Sequence, residues 1–117
     1  MTNNVIVAAS MTVREGKVAE LRGLAEEMSK SAQQEPGTLA YEWHVSEDGA
    51  RCDIYERYAD SAAFMAHVGG LGGQMGRLMA LATPTHVTVY GKPDEQARAV
   101  LAGWHPTFMT QVAGFIR

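Results

Sequence analysis

Between Glu35 and Val68 the chain places Tyr41, Trp43, His44, Tyr55, Glu56, Tyr58 and His67. An imidazole takes or gives a proton near neutral pH. Tyrosine hydroxyls hold an oxygen in place, and each needs a partner once buried. A carboxylate inside a strand is costly unless paired. Together these groups suit proton transfer on an organic ligand, or an oxidation that needs no metal.

His67 ends an alanine-rich helix. It either interacts with the helix C-terminus alone or lies over the sheet edge as a base. Tyr41 and Trp43 share a strand face and are core packing or pocket wall. Glu56 and Tyr58 share a face of the next strand, as a hydrogen-bonded strut or as ligand-facing groups. Arg77, Arg51 or a tyrosine hydroxyl are the candidate partners of Glu56. His86 alternates with Thr88 and Tyr90 and is a candidate for the same cavity. His44 is expected at the surface near a hairpin, and His105 is expected to order the tail.

No histidine pair has the HExxH spacing. A metal site would need Glu42 and His44 joined by His86, and none is expected. Cys52 is the single cysteine, so no internal disulfide forms, and it reads as packing. Gly69, Gly70, Gly72, Gly73 and Gly76 follow a helix and precede no Lys-Ser or Lys-Thr, which excludes a phosphate loop. They form a loosened helix junction or a mobile lid beside a pocket.

Regular elements must carry these groups. Residues 5–13 read as a central strand and 16–34 as an amphipathic helix, with Val18, Leu21, Leu24, Ala25 and Met28 at helical spacing. Pro36-Gly37 ends it. Residues 38–45 form a second strand with Leu39, Tyr41, Trp43 and Val45 on one face. Asp48-Gly49 turns a hairpin into a third strand, 51–58. Asp60 or Ser61 caps a helix to Val68, and a second helical piece spans about 71–80. Residues 85–90 form a fourth strand opened by Pro84. Residues 94–101 form a short helix, and the tail from Trp104 is too apolar to stay loose.

The order is β-α-β-β-α-β with a C-terminal extension, an α+β, ferredoxin-like arrangement. A single domain of 1–117 is expected, with its core over 5–90 and an extension over 91–117. Helices would cover one face of a four-stranded antiparallel sheet. The other face would meet a second copy, giving a homodimer. Net charge is -3, and Lys and Arg total 10, scattered singly, so no nucleic-acid partner is expected. No apolar run approaches the ~20 residues of a membrane span. VIVAAS is too short for a secretory leader, and a cytoplasmic location is expected.

EPGTLAYE at 35–42, YERY at 55–58 and the helix from Asp60 through Ala63 to His67 resemble the antibiotic biosynthesis monooxygenase family. Tyr58 stands where tryptophan is common in that family. The resemblance covers residues 5–90. It implies a dimeric α/β barrel with a pocket between sheet and helices. It also implies a cofactor-independent monooxygenase acting on a quinol or phenolic aromatic ligand, with no flavin, iron or haem. Under it, His67 is the base, Tyr41 and Tyr58 position the phenolic oxygen, and Glu56 orients Tyr41 or His67. Trp43, Phe64, His86 and Met75 line the substrate, with His86 as reserve base. The haem-degrading branch uses an Asn and Trp arrangement; here asparagine occurs only at Asn3 and Asn4. The alternative is a small-molecule-binding, isomerising or signalling protein on the same fold.

Overall fold

Strand alternation sets the frame that holds the site. In the computed structural model, which describes residues 2–117, β1 (Val5–Val13), β2 (Thr38–Val45) and β3 (Arg51–Tyr58) form where alternation predicts them. β1 is central and pairs antiparallel with β3 on one side and β4 (Ala82–Tyr90) on the other. β2 pairs antiparallel with β3 across a hairpin in which Gly49 has φ 75°, a left-handed conformation that favours glycine.

The described residues form a five-stranded sheet, not the expected four. The short β5 (Thr107–Met109) runs parallel to β4 at the edge, in the order β2-β3-β1-β4-β5. Two further expectations are corrected. β4 starts at Ala82, and Pro84 lies inside it. The register with β1 shifts between Ser10 and Met11, next to Pro84, which tolerates a residue without an N–H. Leu39 leaves the face of Tyr41 and Trp43. The β2–β3 register slips between Thr38 and Ala40, and Leu39 is 55% exposed.

The described residues form four helices: α1 (Val18–Gln33), α2 (Ser61–Gly69), α3 (Gln74–Leu81) and α4 (Glu95–Ala102). The Asp60 carboxylate accepts from Ala63 N at 2.8 Å, and Asp94 accepts from Ala97 N at 2.9 Å, so an aspartate caps each of α2 and α4. α1 buries Leu21, Leu24, Met28 and Ala32. Gly37 lets β2 begin directly under α2, because a Cβ there would stand 2.5 Å from the Ala63 Cβ.

Two buried clusters lie between sheet and helices. Leu21, Leu24, Met28, Ile54 and Leu78 belong to the first, which α1 and α3 cover. Val7, Phe64, Val87, Val89 and Leu101 belong to the second, which α2 and α4 cover. The opposite sheet face carries exposed Glu42, His44, His86 and Tyr90, with no helix over it. No helix among the described residues is long and apolar enough to cross a membrane.

Candidate functional site

The two clusters do not close on each other. Between them lies a cavity of about 300 Å³, bounded by Met28, Ile54 and Leu78 on one side and Val7, Phe64 and Val87 on the other. That volume is at the lower end of small-molecule pockets, ~300–1,000 Å³.

Its polar groups gather at one end. Register aligns Tyr41 with Glu56 and Glu56 with Val7, so the carboxylate is flanked by a phenol on β2 and an aliphatic wall on β1. Phe64 and His67 lie one helical turn apart on the buried face of α2. This brings the imidazole within 5.3 Å of the Tyr41 ring and 5.2 Å of the Tyr58 ring, centroid to centroid.

His67 is held from both edges. Its Nδ1 lies 2.7 Å from Glu35 Oε1, which also accepts from the Thr38 hydroxyl at 2.7 Å. Its Nε2 lies 3.6 Å from Glu56 Oε1. The Tyr58 hydroxyl donates a short hydrogen bond to that same Glu56 oxygen. A carboxylate only accepts, so Nδ1–H donates its hydrogen bond to Glu35, and Nε2 is the nitrogen on the Glu56 edge.

Burial pushes the Glu56 carboxyl above its ordinary value. The Tyr58 hydrogen bond and the His67 charge oppose that rise, and the Glu35 charge adds to it. Burial, and then the negative charge of Glu56, drive both Tyr41 and Tyr58 upward, so both phenols stay protonated donors. The Trp43 indole N–H counters part of the Tyr41 shift without reaching hydrogen-bond geometry; it is buried and unpartnered among the described residues. Cys52 is buried, and burial lifts its thiol to about 11, which suits packing and not nucleophilic attack.

His67, Glu56, Tyr41, Trp43, Phe64 and Met75 all line the cavity. Tyr58 and His86 do not. Tyr58 is fully buried beneath Glu56 and its hydroxyl bonds to that carboxylate, which makes the expected strut. His86 projects from the opposite sheet face, 3.0 Å from the Thr88 hydroxyl, because Val87 and Val89 take the inward positions of β4. Arg77 and Arg51, the other candidate partners of Glu56, pair with Glu27 and Asp53.

Neither the type nor the spacing of Glu35 marks it as a site residue. Its signal was its place between a helix end and the Pro36-Gly37 turn, which points a carboxylate back under α2. Val100, Leu101 and Trp104 also reach the cavity, from a segment expected only to pack. Glu35 and Glu56 face opposite edges of the imidazole and so surround no common point. Among the described residues no group of His, Cys, Asp and Glu is arranged to hold a metal ion.

The sequence profile described as antibiotic biosynthesis monooxygenase matches residues 4–71, a span that contains Glu35, Tyr41, Glu56 and His67. No curated protein sequence matches the chain. Solved structures that share the fold include these three. MupZ from Pseudomonas fluorescens superposes with a TM-score of 0.88 at 19% identity, over 99% of this chain and 96% of that one. Rv0793 from Mycobacterium tuberculosis gives 0.67 at 28% identity, over 79% and 97%. SnoaB, a cofactor-independent oxygenase from Streptomyces nogalater, gives 0.67 at 18% identity, over 80% and 96%.

Proposed function

The chain belongs to the antibiotic biosynthesis monooxygenase family, and from that premise we propose that it is a cofactor-independent oxygenase of a quinol or phenolic substrate. The observation that carries this reading is the imidazole of His67, fixed through Nδ1 by Glu35 and lining a largely apolar cavity beside Glu56 and Tyr41. Nε2 takes the phenolic proton. The resulting electron-rich anion passes an electron to dioxygen, and the radical pair recombines as a carbon–oxygen bond. The peroxide so formed takes back the proton held by Nε2. The O–O bond then breaks as the hydrogen on the oxygenated carbon leaves as a proton to Nε2, its C–H electron pair forming the new carbonyl. One oxygen atom stays on the ring and the other leaves as water. Tyr41, held protonated, donates to the ring oxygen. Glu56, 3.6 Å from Nε2, stands where it can pass a proton to the departing oxygen and regain one from the His67 imidazole. The aliphatic walls keep water from the intermediate.

The test uses metal-free protein with a panel of hydroquinones and polycyclic phenols. Oxygen uptake and quinone absorbance are followed together, with uncatalysed autoxidation subtracted. Saturable uptake above the blank is the expected result; uptake equal to the blank across the panel overturns the reading. A second reading, an isomerising or purely binding protein, is favoured by one feature. An acid and a base side by side, Glu56 and His67, can move a proton between two substrate atoms without dioxygen. Turnover that persists under argon would select it.

A homodimer belongs to the same proposal. Tyr90 is 42% exposed on the uncovered sheet face, and Val112 and Phe115 of the C-terminal segment are 89% and 79% exposed. A second copy laid on that face would cover such apolar surface. Sedimentation of a stable monomer at micromolar concentration would contradict this part.

A further inference from the structure

The C-terminal segment does more than pad the edge of the sheet. Val100, Leu101 and Trp104 form a wall of the cavity, and all three lie beyond the profile-matched residues 4–71. Register gives their place. Glu56, Val7 and Val89 stand abreast on β3, β1 and β4. Neighbouring strands are about 4.8 Å apart, so β4 lies roughly 10 Å from the strand that carries Glu56. Tyr41 and Glu56 lie over β2 and β3. Leu101 shares its buried cluster with Val87 and Val89 of β4 and with Phe64 of α2, so α4 bounds the cavity on the β4 side, away from Tyr41 and Glu56.

This wall is anchored. Asp94 caps α4, Ala97 and Leu101 are buried, the Arg98 guanidinium lies 3.7 Å above the Phe108 ring, and β5 pairs with β4. Val100 and Trp104, each 37% exposed, stand at its rim.

We propose that α4 and Trp104 select the substrate. The cavity takes a molecule with one hydroxyl head at His67 and a compact hydrocarbon body, and Val100, Leu101 and Trp104 set the length at which that body must stop. This rests on the cavity being the binding site and is independent of the reaction performed there.

The test is the binding of a 2-alkylhydroquinone series, methyl to octyl, to the full chain under argon by titration calorimetry. Affinity should rise about fourfold per buried methylene, the equivalent of ~0.8 kcal/mol, until the wall is met, and then stop rising. Trp104→Ala should move that cut-off to longer chains. Val100→Trp should move it to shorter ones, an opposite shift that general loss of folding cannot produce. The same cut-off in both variants, or no binding of any member, overturns the proposal. A shifted cut-off in a protein that takes up no oxygen keeps the wall and removes the oxygenase reading. Oxygen uptake with an unmoved cut-off does the reverse.

Discussion

Replacing His67 with glutamine is expected to lower the rate of quinol oxidation by about 10²–10⁴-fold, the usual range for loss of a positioned general base. Glutamine keeps most of the volume and can still donate to Glu35, so the α2 contact survives while the proton acceptor on the Glu56 edge is gone. His67→Ala should lose as much activity but also some stability. It leaves Glu35 and Glu56, now 2.7 and 3.6 Å from opposite edges of the ring, without the group between them. The pair of variants therefore separates chemistry from folding, with urea midpoints measured beside oxygen uptake. Glu35→Gln is the control from the other side. Its amide oxygen still accepts from Nδ1, so the imidazole keeps its orientation and most of the rate should remain. A His67→Gln protein that oxidises within about threefold of the wild-type rate would remove the imidazole from the mechanism.

How much of this arrangement was legible depended on whether the contact was local. Strand alternation put Cys52, Ile54, Glu56 and Tyr58 on one face, and that face is the buried one. From it followed the Tyr58–Glu56 strut, two residues apart on the same strand. Asp60 as a cap was equally local. Leu39 was misplaced because a register slip is a property of two paired strands and leaves no trace in the period of either. Alternation separated His86, Thr88 and Tyr90 from Val87 and Val89 correctly. The error lay in sending the histidine inward, when burial of the two valines decides which face meets the core. β5 has three residues, too few to show a period. Glu35 meets His67 across 32 residues, through a turn and two strands that close α2 over the end of α1. Nothing in the spacing of the two residues announces that closure. The apolar tail was expected to pack on its own domain or on a partner; Trp104 reaches the cavity and Phe108 packs on the second cluster, while Val112, Phe115 and Ile116 stay exposed.

Glu56→Gln is expected to act on rate and on stability, with different dependence on pH. The folded protein holds the Glu56 carboxyl above its ordinary value of 4.5 because burial penalises the charged form. Over the window that starts near that value and rises to the folded one, the native state therefore binds the proton more tightly than the unfolded chain. The slope of unfolding free energy with pH is proportional to protons bound in the unfolded state minus those in the native state, which is negative here. This group thus costs nothing below its ordinary value and subtracts stability as pH climbs through the window. Glutamine still accepts from the Tyr58 hydroxyl and does not ionise. The variant should match or trail the wild type in acid and gain on it steadily toward neutral pH, read as urea midpoints of both proteins across the range. The same substitution should slow oxidation by about 10²-fold, because the proton donor for the departing oxygen is lost while the base at His67 remains. Parallel stability curves would show that the carboxyl titrates as it does in the unfolded chain. The proton for the departing oxygen would then have to come from His67 itself.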